Sequence, residues 1–469
     1  RGYESAGIAT VHEGRLDRRR AVGKLANLSD LLVHAPLAGR AGIGHTRWAT
    51  HGAPNQQNAH PHTSANGRVV VVQNGIVENF LELKEELAAE GVIFTSETDT
   101  EVIAQLIGLQ LESGMGLETA VRDTLSRLRG ANAIVAMSKD EPDKLVCARL
   151  GNAGGIAIGI GQNEMFLASD IPAILKHTSH MVFLENGQMA VLTAAGHQVS
   201  KISGEAIESE VHFIPWDPVS AVKGEYKHFM QKEIFDQPQA ILSTISGRVD
   251  FQHNTIHLPE MNLTPELAKR IKKMYTVACG TSYYSGLVGK FMIESLARLP
   301  VEVEYASEFR YYDPIVDENT AVLSITQSGE TADTLAASEQ AREQGAILWS
   351  IVNAFGSQSM RVSDGYIAMQ AGPEIGVAST KAYTTSIVDQ YMLACVLGQM
   401  RGTLSAEQFK AHIKALAALP ELTGRVLDQD KHYEELAQHF AKATDFLFIG
   451  RGINYPTAME GALKLKEIS

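Results

Sequence analysis

The chain has 469 residues, of which 45% are hydrophobic and 20% are charged. This composition is ordinary for a soluble globular protein and excludes wholesale disorder, while the length suggests about three domains at roughly 150 residues each. The 41 basic and 54 acidic residues give a net charge of −13, which argues against nucleic-acid binding.

Apolar runs and cysteines indicate the environment of the protein. No apolar run approaches the roughly 18 residues needed to cross a bilayer, which predicts a soluble protein that does not enter a membrane. Cys147, Cys279 and Cys395 are too few and too scattered for a disulfide framework and lack zinc-ligand spacing. We therefore expect a reducing, cytoplasmic setting. The sequence opens at Arg1 without a methionine, so we expect it to be trimmed.

Short β-rich runs dominate the first part of the chain, residues 1–215. Two Asn-Gly pairs, Asn74-Gly75 and Asn186-Gly187, predict turns. The clearest helices are predicted at 77–90 and 100–111, the second from an apolar stripe at helical spacing. The strands are predicted at 69–72, 133–137, 145–148, 156–160 and 165–168. This pattern predicts an α+β domain with packed antiparallel sheets.

The pattern changes after Pro215-Trp216-Asp217-Pro218. A polar, aromatic helical stretch at 225–239 predicts a linker, which we place at 216–241. Beyond it, strand, loop and helix alternate, which predicts a parallel sheet with helices on both faces at 242–430. The apolar run at 446–449 leads into a final helix, so 431–469 is predicted to be the first strand and helix of a second such unit.

The densest polar cluster of the first part is residues 44–52, followed by Asn58-Ala59-His60-Pro61-His62. Its histidines, Arg47 and Trp48 are typical of a binding loop at a strand end. An arginine placed there is suited to grip a carboxylate bidentately. A loop of ordinary capping and turn residues explains the composition equally well, whereas metal binding lacks a cysteine or carboxylate at ligand spacing.

Two nearby segments also have two interpretations. Gln73-Asn74-Gly75 ends an apolar strand and is either a turn or a pair of donors, the Asn74 amide and the Gly75 N–H, for a developing oxyanion. Because a predicted helix follows, the hairpin interpretation is weakened. Residues 96–101 form either an N-cap with an acidic first turn or a site where Asp99 binds a ligand amine.

Strand-to-helix loops in the second part are candidates for phosphate binding. The loops at 279–282 and 326–331 both open helices, where free N–H groups, the positive helix end and hydroxyl side chains meet. Serine and threonine at helix starts are also routine caps, and neither loop matches a Walker or dinucleotide motif. A third loop, 376–381, repeats the composition before a predicted helix at 382–397.

The last helix places Glu460, Lys464 and Glu467 on one face through their spacing of i, i+4 and i+7. This spacing alone is typical of a solvated face with intrahelical ion pairs.

Several motifs together resemble one family. Arg1-Gly2-Tyr3-Glu4-Ser5-Ala6-Gly7, residues 46–52, residues 58–61, Gln73-Asn74-Gly75 and residues 96–99 occur in the order found in the glutamine–fructose-6-phosphate aminotransferase (isomerizing) family. The resemblance spans nearly the whole chain and includes residues 226–233 in the linker. It implies an N-terminal-nucleophile amidotransferase domain of type 2 at 1–215, followed by sugar isomerase (SIS) domains.

The resemblance also implies roles for the first domain. Asn74 and Gly75 would form the oxyanion hole, and Trp48 would stand at the gate of an ammonia channel. The family nucleophile is an N-terminal cysteine whose α-amine, with a pKa near 8, acts as base; none of the three cysteines here is terminal. The residues expected to bind glutamine are Arg47, Trp48, Thr50, His51, His60 and Asp99.

For the SIS part, the family implies proton transfer between C1 and C2 of the sugar by Glu467, supported by Lys464 and Glu460. The family often has serine where Thr326 stands, a change that keeps the hydroxyl. A ring-opening histidine and a substrate lysine are expected beyond Ser469. The residues expected around the sugar phosphate are Thr281, Ser282, Thr326, Gln327, Ser328, Thr331, Val377 and Ser379.

The resulting hypothesis is a transferase that hydrolyses L-glutamine, channels the ammonia, and aminates and isomerises fructose 6-phosphate to D-glucosamine 6-phosphate, the first step of hexosamine synthesis. The resemblance implies a homodimer and requires no metal or organic cofactor. One rival is an amidotransferase of the phosphoribosyl-pyrophosphate type, which needs a single acidic-and-hydroxyl loop rather than paired SIS loops. Another is a non-catalytic sugar-phosphate sensor that has lost its nucleophile.

Overall fold

A computed structural model describes residues 4–48, 52–151, 154–216 and 222–468. The chain divides into two compact units, Arg1–Pro215 and Trp216–Ser469, which we call unit 1 and unit 2. No helix within these described ranges combines the length and apolarity needed to cross a membrane.

Unit 1 is built from antiparallel sheets and a layer of helices. A seven-stranded sheet has the order β13-β12-β11-β7-β6-β5-β4, and smaller sheets have the orders β2-β1-β3 and β14-β10-β8-β9. The strands are β1 Ser5–His12, β2 Arg15–Val22, β3 Ala41–Arg47, β4 His62–Thr63, β5 Val69–Gly75, β6 Asn132–Ser138, β7 Leu145–Leu150, β8 Ala157–Ile160, β9 Met165–Ala168, β10 His180–Phe183, β11 Gln188–Thr193, β12 Gly196–Lys201, β13 Ala206–Ile207 and β14 His212–Phe213. The helices are α1 Leu25–His34, α2 Phe80–Ala89, α3 Thr100–Glu112 and α4 Leu117–Arg127.

The seven-stranded sheet is covered by other elements on both faces. Successive side chains of a strand point to opposite faces, so a single strand contributes to two apolar clusters. Val69 and Val71 of β5 pack with residues of α2, α3 and α4 in one apolar cluster. Val70 and Val72 face the other way and pack with residues of the smaller sheets, such as Ile43. Side chains of β5 and β6 belong to both apolar clusters. Packing on both faces therefore holds these two strands in place.

Unit 2 is a parallel α/β structure. Its main sheet has the order β18-β17-β19-β20-β21, and all four pairings are parallel. The strands are β15 Val249–Asp250, β16 Thr255–Ile256, β17 Lys273–Ala278, β18 Val301–Tyr305, β19 Thr320–Thr326, β20 Ile347–Val352 and β21 Gly365–Ala368. The helices are α5 Phe229–Phe235, α6 Gln237–Ile245, α7 Pro265–Arg270, α8 Gly280–Ala297, α9 Ala306–Phe309, α10 Ala332–Glu343, α11 Gln358–Val362, α12 Lys381–Arg401, α13 Ala406–Leu427, α14 Asp430–Phe440 and α15 Asn454–Ile468.

Helices cover both faces of the parallel sheet. Ala337 of α10 packs with Tyr275 and Val277 on one face, whereas Ile293 of α8 and Leu393 of α12 belong to the apolar cluster of the other face. The chain runs from β17 to β18 in one direction and from β19 to β21 in the other. The reversal between β17 and β19 creates a crevice at the carboxyl ends of these strands, where ligands bind in open α/β sheets.

The fold class is confirmed, with antiparallel sheets in unit 1 and a parallel sheet in unit 2. Two local predictions are wrong. Asn74-Gly75 is not a turn, because β5 continues through it and pairs with β6. Residues 446–449 are exposed and form no strand, since a strand of a parallel sheet requires a neighbour to accept its hydrogen bonds. The linker helix is divided at Asp236 into α5 and α6.

Candidate functional site

A cavity of about 740 Å³ opens in unit 1 at the ends of β3, β5 and β6. Segments distant in sequence line it, including residues 44–48, 73–76, 98–100 and 167–169. Its lining contains every described residue that the sequence predicts for the glutamine site: Arg47, Trp48, His60, Asn74, Gly75 and Asp99. Thr50 and His51, predicted for the same site, lie outside the described residues.

The Asn74-Gly75 dipeptide projects from β5 with a constrained backbone. Gly75 has a φ of 136°, and a Cβ there would lie 2.0 Å from the carbonyl oxygen of Ala131, so no other residue fits. Gly154 lies over the Asn74 side chain, since a Cβ at 154 would be 2.4 Å from Asn74 Nδ2. Asn74 thus presents its amide from a strand end that pairing with β6 holds in place.

Arg47 and Asp99 supply opposite charges to the cavity. Burial lowers the pKa of Arg47, while Glu4 and Asp99 act in the opposite direction. Asp99 is the N-cap residue of α3, yet its side chain does not cap that helix. One carboxylate oxygen, Oδ2, instead accepts a 2.7 Å hydrogen bond from the backbone N–H of Val77. The segment therefore supplies the N-cap residue and, with Glu101, the acidic first turn, but the Asp99 side chain makes no capping bond and Asp99 lines the cavity.

Three histidine rings pack together, and two of them, His45 and His60, line the cavity. The rings of His45 and His60 are stacked at 4.4 Å, and the ring of His62 lies edge-on to His60 at 4.9 Å. Burial, followed by the charge of nearby arginines, lowers the pKa of His45 to about 4 and of His62 to about 3. Neutral imidazoles act as hydrogen-bonding groups rather than as a counter-charge to a carboxylate.

Two of the three cysteines are buried core residues. Cys147 and Cys395 are buried as expected for small core residues, and burial raises the pKa of each thiol to about 12. Neither thiol would ionise at neutral pH. Among residues 4–48, 52–151, 154–216 and 222–468, no group of three or more His, Cys, Asp or Glu side chains is arranged to hold a metal ion.

In unit 2, the predicted phosphate loops lie at the crevice between β17 and β19. Thr281 and Ser282 are in the first turn of α8, directly after β17. Thr326 ends β19, and Gln327 and Ser328 lead to Thr331, the N-cap residue of α10. Because β17 and β19 are adjacent, with Val277 paired to Ser324, the two loops are neighbours.

Hydroxyl groups shape the loop after β19. The Thr326 hydroxyl accepts a 3.1 Å hydrogen bond from the N–H of Gly329, and it lies 3.3 Å from the Thr331 hydroxyl. Gly329 has a φ of 67° and could not carry a Cβ, which would lie 2.0 Å from Ser357 Oγ. The turn therefore closes tightly around the start of α10, with Thr326 and Thr331 on its inner side.

The loop at 376–381, the third candidate for phosphate binding, is held by two buried carboxylates, those of Glu374 and Glu233. Glu374 accepts hydrogen bonds from the Ser379 hydroxyl at 2.8 Å and from the N–H of Ala382 at 3.1 Å. Glu233 of α5 accepts hydrogen bonds from the N–H groups of residues 375 and 376. Val377, in contrast, is 56% exposed. Sequence reasoning missed both glutamates, because acceptors for loop N–H groups leave no motif.

The last helix joins this crevice through Thr281. The Thr281 hydroxyl donates to Glu460 at 3.0 Å and accepts from Lys464 Nζ at 2.8 Å. Lys464 Nζ also lies 3.3 Å from Glu460 and 2.6 Å from Glu467. Burial raises the pKa of Glu460, against the opposing effect of Lys464. The three residues therefore do not form a purely solvated face, and the lysine connects both carboxylates to the loop after β17.

Comparisons with known proteins agree with this division of the chain. A glutamine amidotransferase domain model matches residues 33–225, and a SIS domain model matches residues 267–395. A solved structure, the C-terminal domain of glucosamine-fructose-6-phosphate aminotransferase from Francisella tularensis, is 39% identical with a TM-score of 0.50 and covers 53% of this chain and 69% of that one.

Curated relatives match over the full length of the chain. A glutamine–fructose-6-phosphate aminotransferase [isomerizing] of Symbiobacterium thermophilum is 45% identical over 469 residues, covering 100% of this chain and 76% of the relative. One of the same name from Thermococcus kodakarensis is 46% identical over 471 residues, with the same coverage.

Proposed function

Since this chain belongs to the glutamine–fructose-6-phosphate aminotransferase (isomerizing) family, we propose that it uses L-glutamine to convert D-fructose 6-phosphate to D-glucosamine 6-phosphate. Unit 1 releases ammonia from glutamine, and unit 2 binds and isomerises the sugar phosphate. We further assign domain boundaries of 1–215, 216–241, 242–430 and 431–469, a homodimer and a cytoplasmic location.

The observation that carries the proposal is the unit 1 cavity, which brings together complementary groups for glutamine. Arg47 is suited to the α-carboxylate, which a guanidinium grips bidentately, and Asp99 is suited to the α-amine. The Asn74 amide and the Gly75 N–H supply donors for the oxyanion that forms when the side-chain amide is attacked. The nucleophile in this proposal is an N-terminal cysteine, by resemblance to the family.

In unit 2, the sugar phosphate occupies the crevice between β17 and β19. The phosphate accepts hydrogen bonds from the hydroxyls of Ser282, Ser328 and Thr331. The positive ends of α8 and α10 stabilise its negative charge, so the site needs no lysine. Glu467 moves a proton between C1 and C2 of the sugar. Lys464 holds Glu467 and Glu460 in position for this step, since it lies within 3.3 Å of both carboxylates.

The test is product formation by the full-length protein. With glutamine and fructose 6-phosphate, we expect glucosamine 6-phosphate and glutamate in equal amounts, and no product when phosphoribosyl pyrophosphate replaces the sugar phosphate. Binding of fructose 6-phosphate without turnover would instead support a sugar-phosphate sensor. Product from phosphoribosyl pyrophosphate would support the rival amidotransferase type.

A further inference from the structure

A circuit of hydrogen bonds between buried side chains contacts the backbone on either side of Asn74 and Gly75. Its members are His60 from the loop before β4, Gln73 of β5, Thr100 at the start of α3 and Asn132 at the start of β6. Each of these four side chains is at most 4% exposed. Because a buried polar group is costly unless it is hydrogen-bonded, such a circuit keeps one arrangement only when every member is satisfied.

Two backbone carbonyls fix the orientation of the Asn132 side-chain amide, and with it the donor and acceptor roles in the circuit. Asn132 Nδ2 donates to the carbonyl oxygens of Gly130 at 3.0 Å and Ile76 at 3.3 Å. This leaves Asn132 Oδ1 to accept from Gln73 Nε2 at 2.7 Å. The other end of the Gln73 amide, Oε1, can only accept, and it does so from the Thr100 hydroxyl at 2.6 Å.

The remaining bonds determine the state of His60. Because Thr100 has one hydroxyl proton and gives it to Gln73, the 3.2 Å contact between Thr100 Oγ1 and His60 Nε2 requires that the imidazole donates. His60 Nδ1 then accepts from the backbone N–H of Gln73 at 3.4 Å. Both ring nitrogens are therefore engaged, and neither is left to bind glutamine.

The circuit grips the backbone on both sides of the oxyanion dipeptide. The N–H of Gln73, just before Asn74, is held by His60, and the carbonyl of Ile76, just after Gly75, is held by Asn132. We propose that His60, Gln73, Thr100 and Asn132 are positioning residues that hold Asn74 and Gly75 in the geometry that stabilises the oxyanion during glutamine hydrolysis. The proposal rests on the glutaminase function assigned above to unit 1.

The physical reason is that oxyanion donors stabilise a transition state only when they are oriented before charge develops. A neutral imidazole that donates through Nε2 and accepts through Nδ1 completes the circuit, whereas an imidazolium would present a second N–H to the N–H of Gln73. Burial lowers the pKa of His60 well below its usual value, in agreement with the neutral form.

Thr100→Val in the full-length protein is the first test, because valine keeps the shape of threonine but removes the hydroxyl. We expect the kcat for ammonia release from glutamine to fall about tenfold to a hundredfold while KM for glutamine changes less than about twofold. Thr100→Ser should restore most of the kcat. The matched control is Thr124→Val, since the buried Thr124 hydroxyl has no hydrogen-bond partner among the described residues.

Asn132→Asp tests the direction of the circuit, since it preserves size but replaces the donor to Ile76 and Gly130 with a second acceptor. We expect a loss of kcat at least as large as for Thr100→Val. If both variants keep wild-type kcat, or if KM alone rises, the positioning role is wrong. If the wild-type protein itself releases no ammonia from glutamine, the proposed function fails first.

Nuclear magnetic resonance of the wild-type protein with 15N-labelled histidine supplies a result that does not depend on variant folding. The circuit predicts that His60 remains a neutral Nε2–H tautomer between pH 5 and 8. An Nδ1–H tautomer or an imidazolium in this range would overturn the proposal even if both variants were inactive.

Discussion

The two candidate sites differ in what they are made of. The unit 1 cavity is lined by large polar side chains whose directions are set by buried contacts, such as Asp99 to the N–H of Val77. The predicted phosphate loops of the unit 2 crevice consist mainly of short hydroxyl side chains and backbone at the ends of β17 and β19, next to the ion pairs that Lys464 makes with Glu460 and Glu467. This difference indicates that networks of side chains specify the geometry of a reaction. An anion, in contrast, can be bound by small residues in loops that the fold places side by side.

Asn74→Ala should give the largest effect, because it removes the side-chain amide that we propose as an oxyanion donor. We expect the kcat for glutamine hydrolysis to fall about a hundredfold to a thousandfold, with fructose 6-phosphate affinity unchanged. The control is Asn27→Ala, because Asn27 is exposed on α1, its side-chain amide donates to the carbonyl oxygen of Val22, and it does not line the cavity. Ammonia release by Asn74→Ala at the wild-type rate would show that the cavity does not act through this amide.

Gly154→Ala should move the Asn74 amide without deleting it, and it therefore tests whether the position of this amide matters. A Cβ at 154 would lie 2.4 Å from Asn74 Nδ2, so the amide must shift, and we expect a loss of about tenfold in kcat for glutamine. Gly424→Ala serves as the control, because a Cβ there meets nothing within 4 Å. Equal kinetics in the two variants would contradict the close approach of residue 154 to Asn74.

The pH dependence of stability should distinguish the units, because the buried histidines lie in unit 1. His62 has its pKa lowered to about 3 by burial, against about 6.5 in an unfolded chain. Between these values the unfolded chain binds more protons, so the stability contributed by neutral His62 is complete above about pH 6.5 and is lost as the pH falls.

His62→Gln should therefore flatten the fall in the free energy of unfolding between pH 6.5 and 5, by at most about 1.4 kcal/mol per pH unit. Urea unfolding at several pH values measures this slope. A variant with the same slope as the wild-type protein would mean that His62 binds its proton over the same pH range in the folded and unfolded states.

Thr331→Val produces the smallest expected effect, because several groups share the phosphate. Losing one hydroxyl should weaken fructose 6-phosphate binding about fivefold, or about 1 kcal/mol, and leave basal glutamine hydrolysis unchanged. Isothermal titration calorimetry measures the affinity. Thr423→Val is the matched control, since that hydroxyl donates to Leu419 O within α13; a similar loss in both variants would remove Thr331 from the site.

Local patterns predicted much of the fold. The strand at 69–72 and the helix from Thr100 follow from apolar periodicity, and both lie where expected. The turn at Asn74-Gly75 was wrong because pairing with β6, more than fifty residues later, extends the strand. Local turn chemistry cannot reveal a partner that distant.

The candidate sites were predictable only where a local motif marks them. Arg47 and Asp99 occur in dense polar segments, Asn74 belongs to the Asn-Gly pair that ends an apolar strand, and all three line one cavity. Asn132 and Gly154 were missed because they contact residues far away in sequence, Gln73 and Ile76 for Asn132 and Asn74 for Gly154. No local signal marks Asn132, whereas the pair Gly154-Gly155 indicates a close approach of backbone.

In the proposed function, two differently built sites serve one reaction. The most direct test supplies the full-length protein with fructose 6-phosphate, glutamine labelled with 15N in its side-chain amide, and excess unlabelled ammonium. We expect glucosamine 6-phosphate whose amine carries the 15N label. Product containing mainly unlabelled nitrogen, or label released only as ammonium without any aminated sugar, would contradict it.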